Sequence, residues 1–533
     1  MMTPPNGSNT ITFTEVDEAN NPVTEFIYSK LSPQPKHVKN RQEGEINGRI
    51  DIAHSSAALA PWSVKSLQNL LIDVFLPAGY PHSVSDDYVS YQIYDSLQAF
   101  SSSIAGLLSS RAVLQGVGVG NANASPTSAL LLHILQDTSG RIATILFAHR
   151  VGTALEPECK MYRFAADIFN DLAMVLDCLS PMIPAGFSRV TVLSAAGVLR
   201  ALCGVAGGGS KASLSAHFAR WGNLAEVNAV GSLVVSYITS FTGTWLTLLL
   251  LLASHLSLNY AAVRSVQMTT LNRQRANIVF STLLSSDPDF IELHNSRNSS
   301  SSSKPKKSHP KREEEKRHSV LTPTQVAKQE RIFDANGTLK WYSSFPEPQP
   351  PDSLGTCQVG VTLHQFLSSP SPTSSKLRNG DEDKNRDNSY TSPRFQKTTL
   401  PLTALATLFA NEEYVLSITP VPDNPRSLRV IADAKVLLRP SSTSNSQLKA
   451  WMHALLVARV TSSWSTSAQD TSLDWHTDVD IVSVLARTLD FLNESARFEG
   501  YIRCLGECGW DVDVEGGVSA LETKVGRRVV VSF

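Results

Sequence analysis

The chain has 533 residues, of which 42% are hydrophobic and 18% are charged, against about 25% charged in an average soluble domain. Its formal net charge of -1 gives no reason to expect nucleic acid as a partner. The composition excludes collagen-like, fully disordered and disulfide-scaffold proteins.

The first 60 residues read as a polar N-terminal arm. Hydrophobic residues alternate with polar ones in two stretches, which predicts a short strand pair or an extended arm. The alternating residues are Ile11, Phe13, Val16, Val23, Phe26 and Tyr28. No apolar segment follows Met1, so no signal peptide is evident. Four acidic residues precede the first arginine, Arg41, so no transit peptide is evident either.

A helical core domain is predicted from residue 61 to residue 284, because charged residues become rare there. Asp, Glu, Lys and Arg account for 24 of the 223 residues from Pro61 to Leu283, or 11%, and none occurs from Val227 to Val263. Such a composition is typical of helices that are buried or lie in a membrane. We therefore predict a mainly α, membrane-associated core.

The segment at about residues 232–253 is the candidate transmembrane helix. A helix needs about 20 apolar residues to cross a hydrocarbon layer of ~30 Å, and Ser232–Ala253 contains eleven Leu, Val, Ile or Phe residues. These residues favour insertion by roughly 3 to 6 kcal/mol, part of which the Ser and Thr residues offset. The alternative is a buried core helix of a large all-α domain, which would also lack charge on every side.

Small residues predict close helix packing at two places. Gly116 and Gly120 have the G-x-x-x-G spacing that lets helix backbones approach, and so do Gly204 and Gly208. The second stretch approaches a phosphate-binding loop, but a serine separates its last glycine from Lys211. Helix packing is therefore the better interpretation.

Common catalytic and metal-binding signatures are absent from the sequence. It contains no H-E-x-x-H, G-x-S-x-G or C-x-x-C motif, so zinc-hydrolase, serine-hydrolase and structural zinc sites have no framework. We expect the six cysteines to be reduced packing residues. We expect structural roles for the dispersed histidines of the core, which are His82, His133, His149, His217 and His255. The prediction is a protein without metal, cofactor or enzymatic activity.

The most distinctive polar cluster lies between Lys160 and Asp171. Arg163, Asp167 and Asp171 follow one another at four-residue intervals, with Asn170 beside them, so one helix face carries all four. They either line a polar cavity or bind a cation, or they form an ion-pair lattice that ties helices together. In a membrane bundle, charged side chains should face the interior, a cavity or the interface, because lipid-facing charge is costly. The candidate residues for a polar interior or for ligand contacts are Asp95, Arg111, Arg163, Asp167, Asn170, Asp171, Lys211 and Arg264.

The part of the chain after the core is predicted to be a small α+β domain with polar interruptions. Residues 285–323 read as a disordered, basic and Ser-rich linker, whose lysines resemble a nuclear-import patch or belong to a solvated linker. Residues 324–533 form the α+β domain, which a second disordered stretch interrupts at 368–399. Within it, strands are expected at Val415, Ile418, Leu428, Val430 and Ile431 and finally at Arg528–Phe533.

Two amphipathic helices are predicted in the α+β domain. Hydrophobic residues from Leu448 to Leu456 recur at helical spacing, and Asn445 or Ser446 is the expected cap. The same pattern follows Asp478.

Several ordered strings of residues resemble the Root UVB Sensitive family. The longest is Phe75-Leu-Pro-Ala-Gly-Tyr-Pro-His-Ser-Val-Ser-Asp-Asp-Tyr88, and the others are Arg111–Gly120, Lys160–Asp171, Gly204–Gly208, His217–Ala219 and Asn259–Arg264. The resemblance covers about residues 61–284, and more faintly 324–333 and 508–511. Tyr94 and Tyr162 depart from it, since we expect tryptophan at these positions of the family.

The resemblance implies a mainly helical, membrane-associated protein with no established catalytic residues. Plant members are linked to ultraviolet-B sensing in roots, seedling development, vitamin B6 homeostasis and auxin transport. The leading hypothesis is a non-enzymatic integral membrane protein whose partners are membrane lipid and possibly itself or another family member. The alternative is a soluble or peripheral helical protein that binds a small molecule such as a B6 vitamer, or a transporter.

Overall fold

The computed structural model describes residues 10–16, 22–29, 49–55, 76–77, 80, 83–116, 118, 126–184, 186–220, 241–290, 319–334, 337–343, 350–367, 400–422, 430–462, 478–512, 521 and 528–530. The chain divides into two compact units, and each combines separate stretches of sequence. The first unit comprises Met1–Ala129, Asp171–Leu193 and Lys211–Val266, and the second comprises Leu130–Asn170, Ser194–Ser210 and Gln267–Phe533.

The described residues are mainly helical, as the composition predicts. The helices up to residue 286 are α1 Tyr88–Gly116, α2 Pro126–Val151, α3 Cys159–Leu179, α4 Phe187–Phe218, α5 Phe241–Ser265 and α6 Arg273–Ser286. The later helices are α7 Pro323–Gln329, α8 Leu363–Leu367, α9 Leu402–Leu408, α10 Ser444–Ser462, α11 Asp478–Asn493 and α12 Arg497–Glu507. Short 3-10 turns occur at Gly152–Ala154, Ser180–Met182 and Glu494–Ala496.

Strands occur in two separate sheets. The N-terminal strands β1 Thr10–Val16, β2 Pro22–Ser29 and β3 Arg49–Ser55 form an antiparallel sheet in the order β1-β2-β3. The alternating residues of the N-terminal arm lie in β1 and β2, so the predicted strand pair is confirmed. Strand β3 is not predicted from the sequence, because its short stretch contains Arg49, Asp51 and His54 and only two large hydrophobic residues.

In the first unit, α1 packs against α5. Ala105, Leu108 and Ala112 of α1 share a small hydrophobic core with Leu248 and Leu252 of α5, and residues of α3 complete it. Arg189 at the start of α4 fixes the end of α1, because its guanidinium donates to the carbonyl oxygen of Gly116 over 2.8 Å.

The second unit contains a four-stranded sheet covered by helices. Its strands are β4 Thr338–Trp341, β5 Asp352–Val359, β6 Tyr414–Pro422 and β7 Val430–Leu438, in the order β4-β5-β7-β6. The central pair β5 and β7 is parallel and the outer pairs are antiparallel. Gly355 is required in β5, because it has a φ of +142° and a Cβ there would lie 1.9 Å from the backbone oxygen of Ala432.

Helices α6 and α10 build the core of the second unit on this sheet. All eleven residues from Gln274 to Leu284 are buried, and so are all but one of the residues from Gln447 to Ala458. Trp451 of α10 is the largest side chain among those that are fully buried. The predicted helices after Leu448 and Asp478 are therefore confirmed as α10 and α11.

Some boundaries in the second unit differ from the sequence predictions. The predicted caps Asn445 and Ser446 are wrong, because α10 starts at Ser444 and the hydroxyl of Thr443 accepts from the backbone N–H of Ser446 over 3.2 Å. No strand includes Arg528–Val530, although the N–H of Val529 donates to Leu438. Residues 531–533 and Leu428, at which strands are also predicted, lie outside the described residues.

The predicted disordered stretches lie mostly outside the described residues. This is true of all of 368–399 and of 291–318 within the predicted linker. At the two ends of that linker, Ser285 and Ser286 complete α6 and Pro323 begins α7.

Two helices in the described part of the chain are long and apolar enough to cross a membrane. They are α4, Phe187–Phe218, and the stretch Trp245–Ser265 of α5. Length and composition are weak grounds, since a buried core helix of a soluble protein passes the same test. Residues 241–253 of the predicted span at 232–253 lie in α5, which continues to Ser265, and residues 232–240 lie outside the described residues.

Candidate functional site

Helix α3 carries the polar face that its sequence predicts. Nη1 of Arg163 lies 2.8 Å from Oδ2 of Asp167, and both side chains are about nine-tenths buried. The two residues are four apart on one helix, so the pair forms within a single element. Asn170 is half-buried on the same helix.

Asp171 makes a long-range pair that the sequence analysis did not predict. Its Oδ1 lies 2.8 Å from Nδ1 of His255 on α5, and the side chains are only 6% and 1% exposed. His255 was expected to be a structural histidine because no ligand or base stood near it in sequence. The four-residue spacing found Asp171, but it could not find a partner 84 positions away.

Asn259 lies one turn beyond His255 on α5 and is completely buried. In the described part of the chain, neither its amide nitrogen nor its amide oxygen has a hydrogen-bond partner, and Oδ2 of Asp171 also has none. Buried polar groups are almost always hydrogen-bonded. The buried face of α5 therefore carries the Asp171–His255 pair and, one turn further on, Asn259, and their hydrogen-bonding capacity is only partly used.

A second polar contact in the first unit joins the segment before α1 to the end of α4. An antiparallel bridge pairs Val84 with Ala219, and Oδ2 of Asp87 lies 3.0 Å from Nε2 of His217. The hydroxyl of Ser85 donates to Asp87. A serine nucleophile would need its hydroxyl at the imidazole, so the order of these contacts does not match a hydrolase triad.

The second unit contains a buried ion cluster at the start of α3. The carboxylate of Glu330 bridges Nζ of Lys160 and Nη1 of Arg275, each over 2.7 Å. Burial pushes the pKa of Glu330 upward, but Arg275 and Lys160 outweigh it and hold the pKa below the ordinary value. Burial lowers the pKa of Lys160. The two cations thus share one carboxylate across separate segments of the chain.

Glu158 belongs to the same cluster but is less well neutralised. Oε2 accepts from the amide of Asn272 over 2.9 Å, whereas Oε1 has no partner among the described residues. Burial raises the pKa of Glu158 to about 7, although Arg275 and Arg273 act in the opposite direction. This carboxyl group therefore titrates near neutrality.

The remaining predicted site residues are spread along the first unit. Asp95 is half-buried in α1 and accepts from Gln98 over 3.0 Å. Arg264 is half-buried at the end of α5. Arg111 and Lys211 are exposed, and their placement at a bundle interior, a cavity or the interface stays a prediction.

The glycines of α4 also differ from their prediction. The stretch that approaches a phosphate loop is continuous helix, so it does not form such a loop. However, a Cβ at Gly204 or Gly208 would meet no neighbouring atom, whereas one at Gly209 would approach Leu155 to 3.0 Å and one at Gly207 would approach Ala166 to 3.5 Å. Close packing on α4 therefore occurs at Gly207 and Gly209 and not at the predicted Gly204 and Gly208. Gly120 lies outside the described residues.

No cluster of metal ligands accompanies these groups. In the ranges that the structure describes, no group of three or more His, Cys, Asp or Glu residues could hold a metal ion. All six cysteines are free.

Comparison with known proteins finds matches to the region that contains most of these groups. Residues 61–287 match the domain family described as the vitamin B6 photo-protection and homoeostasis domain. RUS family member 1 of Dictyostelium discoideum is 40% identical over 231 residues, which are 40% of this chain and 44% of that protein. Residues 61–287 of the chain are therefore similar to the Root UVB Sensitive family.

Plant members of the Root UVB Sensitive family show the same partial coverage. Protein root UVB sensitive 3 of Arabidopsis thaliana is 34% identical over 225 residues, which are 39% of this chain and 51% of that protein. Protein root UVB sensitive 6 of the same plant is 28% identical over 222 residues, 39% of this chain and 44% of that protein. The chain thus spans about half the length of these relatives. No solved structure matches it.

The family match includes every polar group described above except Glu330. Two of the strings that carry the resemblance, Phe75–Tyr88 and His217–Ala219, meet in the Asp87–His217 contact. Both strings were identified in the sequence through the family resemblance. Nothing in the sequence indicated that they are in contact with each other.

Proposed function

We propose that this chain is a non-enzymatic integral membrane protein whose helix α5 spans the bilayer. The observation that carries the proposal is the exposure of leucines on α5. Leu246, Leu249 and Leu250 are 72%, 56% and 68% exposed, although they lie in the most apolar stretch of the chain.

Exposed leucines on successive turns are costly in water. Burying one leucine side chain stabilises a protein by about 1.5–3 kcal/mol relative to leaving it exposed. A core helix of a soluble domain would hide these side chains, as Leu248 and Leu252 are hidden on the other face of α5. A hydrocarbon environment removes the cost of the exposed face without any further protein.

The polar groups of the first unit support the same function. Ionisable residues within membrane segments almost always face the bundle interior and pair with one another. His255 lies within the apolar stretch of α5 and pairs with buried Asp171. Helix α4 supplies a second apolar candidate span.

Alkaline carbonate extraction tests the proposal. The wild-type chain should remain in the membrane pellet, and a soluble protein in the same lysate should be released. Leu250→Lys should weaken retention, because a lysine at a helix centre costs about 2.5–3.5 kcal/mol of insertion free energy. Leu250→Ile is the matched control and should behave like wild type. Release of the wild-type chain into the supernatant would refute the proposal.

The second candidate is small-molecule binding, which the printed description of the domain family favours because it names vitamin B6. On this candidate the chain takes a B6 vitamer and contributes to the ultraviolet-B responses for which the plant relatives are named. Saturable binding of pyridoxal 5′-phosphate to the purified chain, lost in Arg163→Ala or Lys211→Ala without unfolding, would support it. Absence of binding would count against it, and a transport role would require flux into vesicles.

A further inference from the structure

We propose that Asp171, His255 and Asn259 bind a small organic cation that carries a protonated amine and a hydroxyl group. The inference deepens the proposed membrane function by naming a ligand class for the interior of the first unit. It begins from the amide of Asn259, which is completely buried and makes no hydrogen bond in the described part of the chain.

A buried amide without hydrogen bonds destabilises the folded state. Each buried donor or acceptor without a partner costs about as much as its lost hydration, and Asn259 leaves both of its groups without one. Its neighbours on the buried face of α5 include Leu252 and Ala262, so an apolar residue would suit the fold better. Retaining a costly polar group is characteristic of a functional position.

The neighbouring groups define the chemistry of the ligand. Asp171 uses Oδ1 for His255 and leaves Oδ2 without a partner among the described residues. Together Asp171 and Asn259 offer two acceptor oxygens, one of them on a carboxyl group, and one N–H donor group. A protonated amine satisfies the acceptors, and its charge suits a carboxylate. A hydroxyl oxygen satisfies the amide N–H.

The burial of the three residues limits the ligand to a small one. The exposed fractions of Asp171, His255 and Asn259 are 5%, 1% and 0%. The ligand must therefore be enclosed by helices rather than held at the surface, which excludes bulky or peptide-like molecules.

Thermal unfolding of the purified full chain tests the proposal, with ethanolamine as the probe. A ligand that binds only the folded state raises the unfolding midpoint with concentration. Ethanolamine should raise the midpoint of the wild type. Ethylene glycol lacks the charge and tetramethylammonium lacks hydrogen-bond donors, so neither should match it at equal concentration.

Three variants complete the test. Asn259→Leu should raise the midpoint without probe by about 2–4 °C and abolish the ethanolamine shift. Asp171→Asn should abolish the preference for ethanolamine over ethylene glycol. Ser257→Ala is the matched control, since Ser257 lies exposed on the same helix and bonds only its own helix backbone at Ala253. It should keep the full shift.

The results that would overturn the cation site differ from those that would refute the membrane proposal. A wild-type midpoint that ethanolamine does not move would overturn the cation site, even if Asn259→Leu stabilises the chain, because water alone would then satisfy the amide. A shift that persists in Asn259→Leu would overturn it as well. Because the readout is binding rather than sedimentation, release of the chain by carbonate would leave this result unaffected.

Discussion

Helix α5 is apolar but partly exposed, whereas helix α6 is rich in polar residues but buried. Helix α5 contains the run Leu248–Leu252, yet several of its leucines are exposed. Helix α6 contains two arginines, glutamine, asparagine and four serine or threonine residues, yet every residue from Gln274 to Leu284 is buried. Composition alone therefore identifies neither the exposed helix nor the buried one.

The contrast depends on the partners of the polar groups, which Arg275 and Asn277 of α6 have, although Nε2 of Gln274 has none among the described residues. In α6, Arg275 donates to Glu330 and to the backbone oxygens of Thr270 and Pro157. Asn277 bonds Trp451 and the backbone of Thr338. Polar groups can be buried when each finds a partner. In α5, Leu246, Leu249 and Leu250 are exposed, which is the condition that a membrane would satisfy.

The largest effect is expected from removing the shared counter-ion of α6. Glu330→Ala would leave Lys160 and Arg275 buried without a carboxylate, and breaking such a pair typically costs about 3–5 kcal/mol. Thermal unfolding of the full chain would measure the loss. Asp86→Ala is the control, because the Asp86–Arg220 pair is largely exposed and such pairs contribute at most about 1 kcal/mol. Equal losses in both variants would contradict the buried cluster.

A leucine on each helix sharpens the comparison directly. Leu283 of α6 is completely buried, so Leu283→Ala should cost about 3 kcal/mol by losing apolar burial and leaving a cavity. Leu250 of α5 is mostly exposed, so Leu250→Ala should change the unfolding free energy by less than about 0.5 kcal/mol in detergent. Similar costs would mean that α5 is packed against protein.

The pH dependence of stability should identify Glu158. Its folded pKa of about 7 lies above the unfolded value of about 4.3. Its ionised form is therefore disfavoured in the fold, and its contribution to stability is lost as pH rises from about 4.5 through 7. Glu158→Gln does not titrate, so it should gain up to about 3 kcal/mol over wild type between pH 4.5 and pH 8. Unfolding curves at several pH values measure that difference, and a constant difference would contradict the raised pKa.

Local patterns in the sequence predicted local structure well. The Arg163–Asp167 pair follows from four-residue spacing, and α10 and α11 follow from hydrophobic periodicity. The span at 232–253 was placed by apolar content, but the helix continues to Ser265 through a stretch that also contains serine, histidine and asparagine. Apolar content in the sequence therefore locates the helix but does not predict the residue at which it ends.

Long-range contacts could not be predicted in this way. Glu330 lies 170 positions from Lys160 and 55 from Arg275, and no periodicity connects them. The same holds for Asp171 and His255. Of these residues, only Asp171 was a predicted site residue, and only the fold shows the partners.

Two asparagines provide the finest test of the contrast between α5 and α6. Asn277→Leu would leave the indole N–H of Trp451 and the carbonyl oxygen of Thr338 without their partner, which should cost about 2 kcal/mol. Asn259→Leu removes no hydrogen bond of the described chain and should be stabilising instead. Both substitutions replace the same residue type with the same hydrophobic one at buried helical positions, so the sign of the change in unfolding midpoint isolates the effect of partners. If both variants are destabilised equally, Asn259 is held by contacts like those of Asn277, and the difference between the two helices is one of composition alone.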